Sequence, residues 1–490
     1  MMTRTSTSTS SISGGGGIEL SSTLRDLWID LSSDAGFSES RIAELVFGRC
    51  FPRLRRLRFH ITSDIQLTHL WLGKGSWRVK EQEQKQEQDQ DPLLELRELS
   101  VTCNLGDNYP AFWPRFLSRC VNLTSLNVTR IDRPWIHQSH AFVHLESLQI
   151  LEVYASDLHL LTDAFKSGIL PRLNSIHIDK YGTGLLAGAD VDIAEMLKAG
   201  STRWRSVNLP GVEELAIEVL MEHSLTLEHL ILRRCRRLTS AHIQQFLASC
   251  PRLVTFSALE EDTYEFNEKS NITAQDFIDL NTSSDSLDIG DPAAVSSWLR
   301  PWKCESTLKV FRAKVTGIPR PDVSKLYFLG PNPDRNILLE SYLGQGFDLQ
   351  RRVYERFARF TNLERLELGN YGFGYNLPSI PNAALAEIMG HHTSSDGTYG
   401  VNNSFHDYQN HCLSMNLESG LGLLGGLKRI KEVRLIRMLT DIREADVAWM
   451  MEHWPKLEFL GGLNAEIYGL SVQMWIEKEY PDLKTQVVFL

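Results

Sequence analysis

The sequence predicts an α/β solenoid, a curved stack of strand-and-helix units with a parallel β-sheet on its concave side and short helices on its convex side. Three observations predict this fold. An apolar pattern, L-x-x-L-x-L, recurs along the chain, and most copies begin about 26 residues after the previous one. The pattern fits a short strand, and the residues between copies fit a short helix. One such unit cannot bury its apolar face alone, whereas stacked copies can.

Residues 224–256 hold one complete unit and the start of the next. Leu230 and Leu232 lie two positions apart, so both face one side of a short strand. Ile243 and Phe246, together with the leucine that follows, form the apolar stripe of a short helix. This segment therefore predicts a strand, a turn and a helix in that order.

The same pattern predicts further strands along the chain. Its copies begin at Leu24, Leu54, Leu96, Leu123, Leu148, Leu173, Trp204, Leu227, Leu253, Leu308, Leu363, Ile430, Leu457 and Leu483. The intervals before Leu308 and Leu363 are each about twice the usual spacing. Each of these two intervals therefore predicts either a degenerate unit or a long insertion.

The domain organisation follows from composition. Residues 1–17 are rich in Ser, Thr and Gly and predict a disordered tail. Residues 18–490 predict the solenoid, with insertions at about 74–92, 260–300 and 370–412. The first insertion carries a Gln- and Glu-rich run, which we interpret as a solvated loop because it lacks the apolar seam of a coiled coil.

Short motifs around cysteines, and two longer motifs, resemble those of a known protein family. They are Cys50-Phe51-Pro52-x-Leu54, Cys120-x-x-Leu123, Cys235-x-x-Leu238-Thr239, Cys250-Pro251-x-Leu253, Gly317–Asp322 and Trp449–Pro455. With them the chain resembles the leucine-rich-repeat proteins, in particular the cysteine-containing, ribonuclease-inhibitor-like repeats of fungal F-box receptors. The resemblance implies a leucine-rich-repeat horseshoe. Such scaffolds host many partners, so it is specific for the fold and weak for function.

The resemblance also implies a function. It indicates protein–protein recognition, as the substrate-binding repeat region of an F-box-type (SCF) ubiquitin ligase receptor. No F-box is recognisable before Leu24, so a Skp-type adaptor is expected as a partner only if a docking module exists elsewhere. Two alternatives stay open: a ligase-independent interaction scaffold, and a ligand sensor or enzyme with a site under the loop at 370–412.

Composition excludes several classes of function. A net charge of −10 argues against general nucleic-acid binding. No apolar run reaches the length of about 18 residues that suggests a membrane span. The N-terminal residues lack the apolar core of a secretory signal, and the seven cysteines fit buried thiols better than a disulfide framework. We expect a cytoplasmic or nuclear protein that is a monomer outside its complexes.

The search for catalytic and metal-binding motifs finds no candidate. Nucleotide-binding loops, metalloprotease motifs and nucleophile elbows are missing from the sequence. One loop carries His391, His392, His406, His411 and Cys412. Their spacing fits no ordinary structural zinc site. We therefore predict no catalytic residue, no cofactor, no metal and no enzymatic activity.

The strand residues that flank the apolar positions supply the candidate binding site. They point away from the core, onto the concave face. Five of them form a predicted basic stripe, and three more add apolar or aromatic anchors. These are Arg233, Arg312, Lys314, Arg365 and Arg434, with Tyr154, His177 and Ile231. The stripe suits an acidic or phosphorylated protein segment, because Arg binds carboxylate and phosphate through two hydrogen bonds at once. Alternatively, the charges only solubilise the sheet.

Overall fold

The computed structural model describes a little more than half of the chain, in two compact units that comprise Met1–Leu145 and Glu146–Leu490. The described residues are 25–31, 53–61, 95–103, 117, 120–129, 142–181, 189–200, 203–235, 237–259, 271–278, 301–318, 333–368, 413–435, 438, 442–464 and 470–488. The predicted tail and the insertions at 74–92 and 370–412, with their glutamines and histidines, lie outside them. Of the predicted insertion at 260–300, only residues 271–278 are described.

The first unit contains parallel strands in sequence order. They are β1 (Asp26–Leu31), β2 (Arg56–Ile61), β3 (Glu98–Cys103) and β4 (Ser125–Val128). Leu57, Leu99 and Leu126 lie in register on neighbouring strands and are all buried. The repeated leucine therefore occupies the same structural position in each of these repeats, as the sequence pattern predicts.

The second unit carries a longer parallel sheet with the same order. Its strands are β5 (Ser147–Val153), β6 (Ser175–Tyr181), β7 (Ser206–Pro210), β8 (His229–Arg233), β9 (Thr255–Ser257), β11 (Val310–Arg312), β13 (Arg365–Glu367), β14 (Glu432–Arg434), β15 (Phe459–Asn464) and β16 (Lys484–Val488). A separate small sheet pairs β10 (Asn271–Thr273) with β12 (Lys314–Thr316). All the described pairs are parallel, so each connection must cross over one side of the sheet.

Helices supply those crossovers. They are α1 (Ala155–Lys166), α2 (Ala189–Ala199), α3 (Glu214–Glu222), α4 (Ser240–Ser249), α5 (Ala274–Ile278), α6 (Pro333–Ala358), α7 (Glu444–His453) and α8 (Leu470–Glu479), with a 3-10 helix at Leu421–Gly426. Successive helices touch one another and form a single layer behind the sheet. Among these described helices, none is both long enough and apolar enough to cross a membrane.

Helix α4 forms as the sequence predicts. Ile243, Phe246 and Leu247 are buried along one side. Thr239 begins the helix by accepting a hydrogen bond from the backbone N–H of His242. Further along the chain, the segment Leu421–Gly426 forms a 3-10 helix. Its buried leucines hold that turn against the core.

Among the described residues, the intervals before Leu308 and Leu363 contribute no further strand to the main sheet. Strand β9 pairs directly with β11, and β11 pairs directly with β13. Phe311 on β11 has its ring centroid 6.1 Å from that of Phe256 on β9 and 5.3 Å from that of Phe357 on α6. These aromatic contacts fill the core beside two long connections, so β9, β11 and β13 remain neighbours.

A buried arginine lies in the same part of the core. Arg356 on α6 is fully buried and lies 4.0 Å from the ring centroid of Trp302. Its Nη1 is 3.2 Å from a carboxylate oxygen of Glu305. Burial lowers the pKa of Arg356 to about 10, and the nearby Glu305 opposes that shift. The ion pair and the ring together compensate a charge that would otherwise be costly to bury.

The fifth predicted repeat is shifted in the structure. The sequence pattern places Leu148, Leu151 and Val153 in the core, but Ile150 is fully buried and Leu151 is half-buried. Strand pairing sets Leu148 opposite Ile176 and the following positions in step with it. The fifth repeat therefore starts three residues earlier than predicted, because a copy of the pattern that overlaps the predicted one supplies the residues that pair with β6.

The described cysteines have the environment that the sequence predicts. Cys120, Cys235, Cys250 and Cys304 are buried free thiols. Burial raises the pKa of the Cys250 thiol to about 12, and that of Cys304 is raised for the same main reason. A thiol is nucleophilic only as a thiolate, so these side chains act as small apolar core residues.

One carboxylate links the helices of two consecutive repeats. Asp190 on α2 accepts hydrogen bonds from the backbone N–H groups of Glu213, Leu215 and Ala216, at distances of 3.0, 2.9 and 3.2 Å. These groups start α3 and have no partner within their own helix. We expect Asp190→Ala to lower the free energy of unfolding by about 1–2 kcal/mol, as loss of a helix cap does. Urea unfolding of the full chain measures this.

The control for that experiment is Asp192→Ala in the same helix turn. The carboxylate of Asp192 has only a 4.0 Å approach to His159, which is well exposed. Such exposed pairs contribute about 0–1 kcal/mol. Equal losses in the Asp190 and Asp192 variants would contradict a capping role for Asp190.

Candidate functional site

Two rows of side chains cross the sheet of the second unit on the side away from its helices. The first row is Ser175, Ser206, His229, Thr255, Val310, Arg365, Glu432, Phe459 and Lys484. The second row is His177, Asn208, Ile231, Ser257, Arg312, Glu367, Arg434, Gly461 and Gln486. Between them runs a row of buried apolar residues that faces the helices, so alternation puts both rows on the opposite side. We call this side the sheet face.

The sheet face gathers six of the eight predicted site residues. His177, Ile231, Arg312 and Arg434 lie in the second row, and Arg365 lies in the first. Arg233 ends β8, two positions beyond Ile231. Strand β9 pairs with β8 on one side and with β11 on the other. A single strand therefore lies between the strands that carry Arg233 and Arg312.

Lys314 and Tyr154 lie off the sheet face, in contrast to the prediction. Lys314 begins β12 in the small second sheet, opposite Asn271, and its side chain is buried. The chain leaves the main sheet after Arg312, so alternation along one strand does not extend to Lys314. Tyr154 follows β5 at the start of α1, where its backbone N–H donates to Asp157 over 3.0 Å. The shift of the fifth repeat explains that position.

Three arginines and two glutamates form a charged cluster, which we call the Arg–Glu cluster. Glu367 is at its centre, and its side chain is 0% exposed. The Nε groups of Arg312 and Arg365 donate to the two carboxylate oxygens of Glu367. Arg365 Nε also lies 3.1 Å from Glu432, and Arg434 Nε lies 3.8 Å from Glu367. Arg434 bonds Glu432 as well. Positive and negative side chains therefore alternate across the strands.

The site predicted from the sequence included these arginines but not the glutamates between them. The signal was present, because Arg365-x-Glu367 and Glu432-x-Arg434 have opposite orders on neighbouring strands. In parallel register, Arg365 then faces Glu432, and Glu367 faces Arg434. Opposite charges in directly facing positions stabilise a sheet. Three arginines of the predicted basic stripe therefore lie in a cluster in which two glutamates compensate all but one of the positive charges.

An aromatic ring borders the Arg–Glu cluster. The guanidinium carbon of Arg434 lies 4.6 Å from the ring centroid of Phe459. The ring in turn occupies the space above Gly461, where an added Cβ would lie 2.7 Å from the ring atom Cε1. Glycine is therefore required at this position for the ring to lie on the sheet.

A second polar cluster surrounds Arg233. Its side chain donates to the Ile178 carbonyl over 2.7 Å and to Asn208 Oδ1 over 3.0 Å, and it pairs with Asp179 at 3.2 Å. His177 Nε2 lies 2.9 Å from Asp179 Oδ1. The hydrogen bond with His177 is the main factor that lowers the pKa of Asp179; desolvation opposes it, and Arg233 adds to it. The charged side chains of this cluster are therefore paired with one another.

The described residues offer no metal centre, since no group of three or more His, Cys, Asp or Glu side chains among them converges. Their charged groups instead pair across strands, as in the Arg–Glu cluster. The described side chains of the sheet face therefore provide hydrogen-bonding groups, paired charges and apolar surface.

A comparison of the chain with protein-family models found no match. A search of curated proteins also found no match. The function is therefore inferred from the residues, distances and charges of the sheet face.

Proposed function

We propose that the chain is a protein-recognition scaffold of the leucine-rich-repeat horseshoe type, which binds a protein partner on its sheet face. The observation that carries this proposal is the pair of ordered rows on neighbouring parallel strands. Neighbouring strands lie about 4.8 Å apart, so a row from β6 to β16 spans roughly 40 Å. A surface of that length suits an extended protein segment or a domain better than a small molecule.

The composition of the rows supports protein binding. Ile231, Val310 and Phe459 place half-buried apolar side chains among polar neighbours. Apolar anchors surrounded by ordered polar groups are typical of protein interfaces. The charged side chains nearby are already held by neighbours, so little rotamer entropy is lost when a partner binds.

The specific form that the family resemblance implies is the substrate-binding region of an F-box-type ubiquitin ligase receptor. In that form a Skp-type adaptor joins through a docking module outside the repeats. A ligase-independent scaffold is the rival form. The buried free thiols of Cys120, Cys235, Cys250 and Cys304 favour a reducing compartment, so we place the protein in the cytoplasm or nucleus.

A pair of matched double variants tests the proposal. Ile231→Glu with Val310→Glu adds two charges to the sheet face at half-buried positions. Val191→Glu with Leu215→Glu adds the same charges to the helix layer, where both side chains are about half exposed. Partners are captured from the source cells with the wild-type chain and both variants, and then quantified by mass spectrometry. Circular dichroism confirms that each variant is folded.

We expect at least one partner to be retained by the wild type and the helix-layer variant, and to be reduced about tenfold or more by the sheet-face variant, since buried unpaired charge weakens an interface strongly. Equal capture by all three chains would contradict a binding role for the sheet face. Co-purification of a Skp-type adaptor with the full chain distinguishes the ligase receptor from the independent scaffold.

A further inference from the structure

Two arginines, Arg365 and Arg434, are the most exposed charged groups of the Arg–Glu cluster. Glu367 is 0% exposed and Glu432 is 18% exposed, whereas Arg434 and Arg365 are 25% and 35% exposed. The cluster also carries one more guanidinium than carboxylate. On a chain of net charge −10, this small area of the sheet face therefore attracts anions.

Arg365 retains capacity to bind an anion. Its two carboxylate contacts to Glu367 and Glu432 both run through Nε. A guanidinium has five N–H donors, of which Nε carries one. The remaining donors form a fork whose geometry matches a carboxylate. A ligand carboxylate can therefore bind Arg365 without displacing Glu367.

Arg434 and Phe459 extend the same position. Arg434 stacks on the ring of Phe459, and the ring lies against Gly461. Both side chains are therefore held in place before a ligand binds. The exposed Lys484 lies opposite Phe459 on β16 and adds a further cation. An apolar surface between cations suits a peptide that carries acidic side chains on either side of an apolar one.

We propose that Arg365, Arg434 and Phe459 form the docking position for an acidic segment of the partner protein, with the buried Glu367 holding the arginines in place. This inference rests on the proposed function and names the chemistry of the partner. The recognised group is a carboxylate of Asp or Glu. The overall negative charge of the chain disfavours a nucleic acid as the occupant, because a long polyanion would meet repulsion beyond the cluster.

A labelled peptide tests the proposal directly. The probe is a fluorescent hexapeptide of glutamate, titrated with the full chain at low salt and followed by fluorescence anisotropy. We expect saturable binding that weakens as salt rises, since partly exposed ion pairs are screened. A peptide of the same length with glutamine, and one with phosphoserine, are titrated in parallel.

Two variants with opposite expected effects on peptide binding identify the binding position. Arg365→Gln removes the guanidinium and is expected to weaken binding about tenfold or more. Glu432→Gln removes an internal competitor for Arg365 and Arg434, and it is expected to tighten binding severalfold. A variant that merely unfolded the site would not bind more tightly.

Matched controls change the same charges elsewhere. Arg205 and Glu228 form a bidentate pair on the second unit, at distances of 2.8 to 3.1 Å. Arg205→Gln and Glu228→Gln are expected to leave binding of the glutamate peptide unchanged within about twofold.

Specific outcomes overturn the proposal. Failure of the glutamate peptide to bind, binding of the phosphoserine peptide alone, or equal responses in the Arg205 and Arg365 variants would each exclude a carboxylate site here. Those results leave the proposed function intact if the sheet-face variant of Ile231 and Val310 still loses its partner. Peptide binding without any loss of partner in that variant would instead contradict the proposed function.

Discussion

Glu367→Gln is expected to lower the free energy of unfolding by about 3–5 kcal/mol. The carboxylate is fully buried and accepts from Arg312 and Arg365. Its removal leaves the guanidinium groups of Arg312, Arg365 and Arg434 close together without the carboxylate between them. Removal of one partner from a buried ion pair is costly because the remaining charge stays partly desolvated without its partner. Urea or thermal unfolding of the full chain measures the change.

A neighbouring glutamate provides the control. Glu364 precedes the same strand and also contacts two cations on flanking strands, Lys431 at 2.7 Å and Lys309 at 3.5 Å. Both lysines are about half exposed, so Glu364→Gln should cost less than about 1 kcal/mol. Similar losses in the Glu364 and Glu367 variants would show that Glu367 is not buried among the arginines.

Leu230→Asp has an equally large expected effect. Leu230 is fully buried at the centre of β8, between Val207 and Phe256 in register. An aspartate there would bury an unpaired charge, which costs at least several kcal/mol. We expect loss of the cooperative unfolding transition, or a midpoint shifted to much lower urea.

Ile231→Asp is the control for the strand register. It places the same charge one residue further along, on the half-buried sheet face. Alternation along a strand sends consecutive side chains to opposite sides, so this variant should cost far less than the Leu230 variant. A larger loss for Ile231→Asp would contradict the register of β8.

Local periodicity predicted the repeated parts of the fold. The alternation of Leu230 and Leu232, and the stripe that begins at Ile243, each report an environment that recurs in every unit. Periodicity was insufficient around Leu148, because two overlapping copies of the pattern compete there. The choice between them is made by pairing with Ile176 on the next strand, and that pairing is a tertiary interaction.

The candidate site was predicted in part, for a similar reason. Outward positions such as Arg365 and Arg434 follow from alternation alone. The burial of Glu367 does not, because it depends on side chains from β11 and β14 that long connections separate in sequence. The position of Lys314 depends on where the chain leaves the main sheet, and the apolar pattern carries no signal for that departure.

The most direct test of the account exchanges the charges of one facing pair. Arg365 and Glu432 lie opposite each other on β13 and β14, and their side chains form an ion pair of 3.1 Å. The free energy of unfolding is measured for Arg365→Glu, for Glu432→Arg and for the double variant. We predict that each single variant loses stability and that the double variant recovers part of the loss, with a favourable coupling of about 1–2 kcal/mol. A double variant whose loss equals the sum of the two single losses would contradict the pairing of these strands, and with it the binding position built on them.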